Sequence, residues 1–75
     1  MAAFSVRMFA YLKDRHGERM EVEAEPSVEG VLQALSQNGV QTRACRLSVN
    51  LSFPAGNLAL EESDELALIP PVSGG

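Results

Sequence analysis

Apolar and polar positions alternate along the first part of the chain. Phe4, Val6, Met8, Ala10 and Leu12 fall on one side; Ser5, Arg7, Phe9 and Tyr11 fall on the other. A period of two is that of a strand with one buried face. A strand is therefore predicted over residues 4–12, with Phe9 and Tyr11 on its outward side. Asp14 to Arg19 is polar, contains Gly17 and reads as a turn. Met20, Val22 and Ala24 then alternate with Glu21, Glu23 and Glu25, giving a second strand that pairs with the first as a hairpin. Pro26-Ser27 ends that strand and opens a helix, with Ser27 as the N-cap whose hydroxyl accepts from an otherwise unpaired backbone N–H. Glu29 sits in the first turn, where the helix dipole favours negative charge. Val28, Val31, Leu32 and Leu35 form one buried stripe, and Asn38-Gly39 is the stop. Gly30 inside this helix costs about 1 kcal/mol relative to alanine, which points to close packing there.

Gln41 to Arg46 reads as a connection, and Leu47 to Asn50 as a short strand. Leu51 to Asn57 carries Pro54 and Gly56 and is irregular. Leu58 and Leu60 are expected to tuck under the sheet. Glu61 to Asp64 is a turn, and Glu65 to Ile69 is the last strand, with Leu66 and Leu68 inward and Ala67 and Ile69 outward. The order strand, strand, helix, strand, strand indicates an α+β domain, one main helix covering one face of a mixed sheet. A crossover through the helix makes the first and last strands parallel central neighbours. The chain then leaves the middle of the sheet, so residues 1–69 form the body and residues 70–75 an extended tail. Phe9 and Ile69 are expected close together on the uncovered face, where contiguous apolar surface marks a partner site.

Composition narrows the chemistry. With 75 residues the chain forms one small domain without room for a deep substrate cavity. Its hydrophobic fraction of 45% supports a folded core rather than disorder. The net charge of −4 speaks against a nucleic-acid surface. The acidic groups Glu18, Glu21, Glu23, Glu25 and Glu61, Glu62, Asp64, Glu65 read as solvated faces. Cys45 is the only cysteine, so no internal disulfide forms, which fits a reducing compartment. With His16 as the only histidine, a structural metal site is not expected. Arg7 and Lys13-Asp14-Arg15 break up the N-terminal apolar residues, unlike a signal peptide. No apolar run has the length of a membrane span, and the expected location is the cytoplasm. No serine–histidine–acid set, phosphate loop or dinucleotide fingerprint is present. His16 reads as a solvated turn residue and Cys45 as a small filler. The chain is expected to take part in chemistry as a substrate or carrier.

The tail supplies the reacting group for such a role. It reads Pro70-Pro71-Val72-Ser73-Gly74-Gly75 and follows an apolar strand without a flexible linker. The prolines stiffen its root and hold the residues before them extended. The two glycines fit a channel too narrow for a Cβ. Beyond Pro71 the four remaining residues reach about 13 Å when extended. A free carboxylate on Gly75 is a poor electrophile, but as an acyl-adenylate it is open to attack, with no side chain in the way. An ATP-dependent partner would be the activator; no cofactor is expected on the chain itself.

The segment from Asp64 through Gly75 resembles the C-terminal signature of the small subunit of molybdopterin synthase, the MoaD type of ubiquitin-like sulfur carrier. Val49-Asn50 resembles that family's valine–asparagine strand end, and Arg7-Met8-Phe9-Ala10-Tyr11-Leu12 its first strand. Ser63 departs from it, replacing the glycine usual before the last strand. The resemblance implies a β-grasp, ubiquitin-like fold. It implies that Gly75 is adenylated by a MoeB-type enzyme using ATP and converted to a thiocarboxylate with a sulfur donor. Pro70, Pro71, Val72, Ser73 and Gly74 would insert into a MoaE-type large subunit. There the sulfur passes to cyclic pyranopterin monophosphate, in a heterotetramer whose catalytic lysines belong to the large subunit. By position Phe9, Phe53 and Ile69 match the family's apolar contact surface, and Lys13 a basic position facing an acidic partner residue. A carrier for thiamine or tRNA thiolation, a protein modifier forming isopeptide bonds, and an interaction domain with an inert tail are the alternatives.

Overall fold

In the computed structural model the chain is described over residues 1–71. The elements run β1 (Ala2–Met8), α1 (Ala10–His16), β2 (Arg19–Ala24), α2 (Val28–Gln37), β3 (Arg46–Val49) and β4 (Leu66–Ile69). The sheet order is β2-β1-β4-β3. β1 pairs antiparallel with β2 and parallel with β4, and β3 pairs antiparallel with β4. The first and last strands are thus the central parallel pair that the crossover argument predicts, and the arrangement is a β-grasp.

The core follows the alternation. Phe4, Val6 and Met8 of β1 are buried, as are Val22 and Ala24 of β2, Leu47 and Val49 of β3, and Leu66 and Leu68 of β4. Val28, Val31, Ala34 and Leu35 of α2 join the same cluster.

The first strand is shorter than residues 4–12. It ends at Met8, and Ala10–His16 form a helix where a strand end and a turn were expected. Ala10 adopts φ 54°, which breaks the strand. Alanine, leucine, lysine and arginine then favour helix. Met8 and Leu12 are both buried, and a separation of four is on one side under either period, so alternation alone does not separate the two readings. β1 and β2 consequently pair as expected but are joined through α1. At the other edge the strand takes in Arg46 and stops at Val49, leaving Asn50 in the turn.

Helix α2 is closed at both ends. Ser27 Oγ accepts from Gly30 N–H at 3.0 Å, Val28 N–H donates to the Leu58 carbonyl at 3.0 Å, and Glu29 N–H donates to Asn57 Oδ1 at 2.8 Å. These pairings fix the irregular segment against the helix start. Leu60 is buried as expected, but Leu58 stays 45% exposed; its backbone carbonyl, rather than its side chain, makes the attachment. At the far end Val40 N–H reaches the Leu35 carbonyl and Gly39 N–H the Ser36 carbonyl, a Schellman closure that uses the positive φ of Gly39.

Gly30 has the reason its position implied. A Cβ there would lie 2.4 Å from the Glu25 carbonyl oxygen, where the chain enters the helix from β2. Gly30→Ala should therefore destabilise by about 1–2 kcal/mol despite the helix-propensity gain. Urea unfolding checks this; a variant as stable as the parent would mean that the approach is relaxed at no cost.

Candidate functional site

β1 and β4 run the same way, so their carboxyl ends lie at one end of the sheet. The antiparallel β3 brings its start to the same place: Arg46 pairs with Ile69, and Met8 with Leu68. α1 follows Met8-Phe9 at this end. The chain leaves β4 here through half-buried Pro70 and exposed Pro71. Val72, Ser73, Gly74 and Gly75, the rest of the expected tail, lie outside the described residues.

The outer face of the sheet carries a row of Arg7, Ala67 and Ser48. Ala67 points outward as expected, yet Ala67 and Ser48 are both only 7% exposed. The Arg7 guanidinium lies 5.6 Å from the Phe9 ring centroid, and that of Arg46 lies 4.1 Å from the Phe53 ring centroid. Such stacks contribute about 0.5–1 kcal/mol each at exposed sites and hold the rings over the surface. Phe9 and Phe53 remain 38% and 47% exposed. Ile69 is half-buried at the root of the tail. Lys13 is exposed on α1, its N–H donating to the Phe9 carbonyl. The expected contact residues therefore share one end, although Phe9 serves as the cap of α1 and not as a strand residue.

Sequence reasoning left Arg46 unassigned. Its stack on Phe53 depends on how residues 50–57 fold back, which no local pattern displays. Arg7 had a signal, since alternation put it beside Phe9.

The entry of β4 is set by Asn50. Its N–H donates to the Glu65 carbonyl at 2.7 Å, and its Oδ1 accepts from Glu65 N–H at 2.9 Å. Its Nδ2 donates to Asp64 Oδ1 at 3.2 Å, while Asp64 Oδ2 accepts from Glu61 N–H at 2.8 Å. Asn50 and Leu51 have φ 52° and 69°, and Val49 and Ser52 exchange backbone hydrogen bonds around them. This is a two-residue turn with both central residues left-handed, a geometry that favours asparagine first and glycine second.

Cys45 packs against the core as a small filler. Burial pushes its thiol up, partly offset by a hydrogen bond with Tyr11. A shallow groove of about 220 Å³, lined by Glu23, Glu25, Gly30 and Gln33 among others, lies on the β2 side of α2, away from β4. Among the described residues there is no metal-binding cluster of His, Cys, Asp and Glu. No helix among them is long and apolar enough to cross a membrane. What this end offers is two partly exposed aromatic rings, each stacked with an arginine, beside the exit of the chain from β4.

A family model described as the ThiS family matches residues 6–75. Among solved structures, SAMP1 from Haloferax volcanii is 28% identical, covering 99% of this chain and 100% of its own, with a TM-score of 0.69. Another structure of small archaeal modifier protein 1 from H. volcanii is 26% identical over 96% of this chain and 100% of its own, with a TM-score of 0.68. A chain from the complex of subunits 1 and 2 of molybdopterin-converting factor from Helicobacter pylori 26695 is 24% identical over 99% and 100%, with a TM-score of 0.70; at that identity the likeness is one of fold. No curated protein matches significantly.

Two outcomes test the local physics. Leu51 is 84% exposed, so Leu51→Gly should stabilise by about 0.5–1 kcal/mol by removing the left-handed cost, while Asn50→Ala should destabilise by about 2 kcal/mol; unfolding curves that reverse this order refute the turn assignment. A raised Cys45 pKa leaves less thiolate at a given pH, so alkylation by iodoacetamide at mildly alkaline pH should be slower in the native protein than in urea. Equal rates would show that burial does not control the thiol.

Proposed function

The chain belongs to the ThiS family of ubiquitin-like sulfur carriers, and on that footing we propose that it donates sulfur from Gly75 as the small subunit of molybdopterin synthase. A carboxylate oxygen of Gly75 attacks the α-phosphorus of ATP in a MoeB-type enzyme, and pyrophosphate leaves. A sulfur donor at the level of hydrosulfide then attacks the acyl carbon, AMP leaves, and a thiocarboxylate remains. The tail, Pro70 to Gly74, inserts into a MoaE-type large subunit, where Phe9, Lys13, Phe53 and Ile69 form the contact surface. There the thiocarboxylate sulfur adds to cyclic pyranopterin monophosphate and hydrolysis returns the carboxylate. The setting proposed is the cytoplasm, with ATP consumed by the activating enzyme.

The observation that carries this reading is that the family match extends through Gly75, on a chain whose central strand β4 leads directly into Pro70-Pro71. The proline pair lowers the ordering cost of threading, about 1–2 kcal/mol for each residue already restricted. The molybdopterin branch is supported by the likeness of Pro70-Pro71-Val72-Ser73-Gly74-Gly75 to that signature.

A second reading, a protein modifier joined to lysines, is favoured by the higher identity to SAMP1. One assay series separates them. After incubation with ATP, an activating enzyme and a sulfur donor, the intact mass should rise by the sulfur-for-oxygen difference, localised to Gly75, and deletion of Gly75 should abolish the change. The thiocarboxylated protein, given a large subunit and the pterin precursor, should yield the dithiolene. An unmodified terminus rules out the carrier. A thiocarboxylate without dithiolene, accompanied by covalent conjugates in cell extract, favours the modifier.

A further inference from the structure

Every lysine and arginine of this acidic protein lies at the end from which the tail departs. Arg7 pairs with Arg19 towards the carboxyl end of β1, and Arg46 pairs with Ile69. Lys13 and Arg15 belong to α1 at that end. Arg43 lies three residues before Arg46, in the connection that enters β3 at the same end. These are all 6 of the cationic side chains. Asp14 and Glu18 are the acids among them, so six cations and two carboxylates leave this end at plus four.

The other eight of the 10 carboxylates occupy the remainder of the molecule. Glu21 and Glu23 pair with Ser5 and Ala3, and Glu25 and Glu29 surround the start of α2. Glu61, Glu62, Asp64 and Glu65 lie in the turn before β4, where Ala3 N–H donates to Glu62 Oε2 at 3.2 Å. This region holds no cationic side chain. The ends of β1 are about 20 Å apart, roughly two Debye lengths at physiological salt. A partner close to one end therefore meets the local charge and not the net −4. Helix-dipole pairing explains only Glu29, since the last turn of α2 has no cation.

We infer that the tail is presented from a positive pole, and that the surface receiving it is a protein channel with an acidic rim. This rests on the carrier reading and names the chemistry of the partner it needs. A protein is favoured over a nucleic acid because two of the cations are arginines stacked on exposed rings, the residue types enriched at protein interfaces. An acidic rim does not conflict with an anionic terminus. Four residues in a fully extended chain span at most about 13 Å, more than one Debye length of about 8 Å, so a channel floor at that reach is a separate electrostatic site.

The test compares charge reversal at the two ends in ATP-dependent adenylation by the activating enzyme. Arg15→Glu with Arg43→Glu should lower kcat/KM about tenfold at low ionic strength, through KM, and converge on the parent at about 0.5 M salt. Glu23→Lys with Glu61→Lys should change it less than about twofold. Equal effects from both pairs, or none that salt removes, overturn the inference. If the parent itself is never adenylated, the carrier reading fails, and an NMR titration with a polyglutamate peptide decides the pole separately. Shifts should be confined to residues 7–19 and 43–46; shifts centred elsewhere refute it. Binding of a single-stranded RNA oligonucleotide that persists at physiological salt would overturn the choice of a protein partner.

Discussion

The parallel pairing of β1 with β4 is the constraint on which the rest depends. It joins Val6 to Leu66 and Met8 to Leu68, bringing together segments from opposite ends of the sequence. All four side chains are essentially inaccessible, so the strand that carries the tail is also the centre of the core. β4 cannot shift without disturbing this buried apolar cluster. The pairing also carries the largest loop closure in the domain, and contacts of that kind reward the chain only after the intervening segments have been brought together.

Two small devices keep this arrangement in register. Asn50 binds both polar groups of the Glu65 backbone and a carboxylate oxygen of Asp64, so the end of β3 dictates where β4 begins. Gly30 lets α2 start against the Glu25 carbonyl, which sets the helix close to β2. One device acts on each side of the central pair. Neither includes a residue at the exit of β4, yet both fix the frame around the central pair from which the chain leaves.

Much of this was legible in the residues, and the failures have definite causes. Alternation located the core of β1, β2 and β4. Ser27 and Asn38-Gly39 located the ends of α2, and the element order led to the parallel central pair. Phe9, Phe53, Ile69 and Lys13, singled out by their match to a family pattern, lie at the end where the chain leaves β4. The error over Phe9 to His16 arose because Leu12 satisfies both periods and only the backbone of Ala10 separates them. Ser48 and Ala67 are small and lie on the outer face, so alternation placed them outward although both are buried. The side-chain role of Asn50 was hidden because its partners lie 14 and 15 residues further on.

The identity of the cations at the tail end carries a consequence for reactivity. Five of the 6 are arginines and Lys13 is the exception. A guanidinium stays protonated under physiological conditions and is not a nucleophile, whereas an ammonium group loses its proton readily when its surroundings change. The positive surface at this end therefore almost entirely lacks an amine nucleophile. Charge of this composition draws in an acidic surface without offering it a nucleophile, and Lys13 is the single side chain there that departs from this rule.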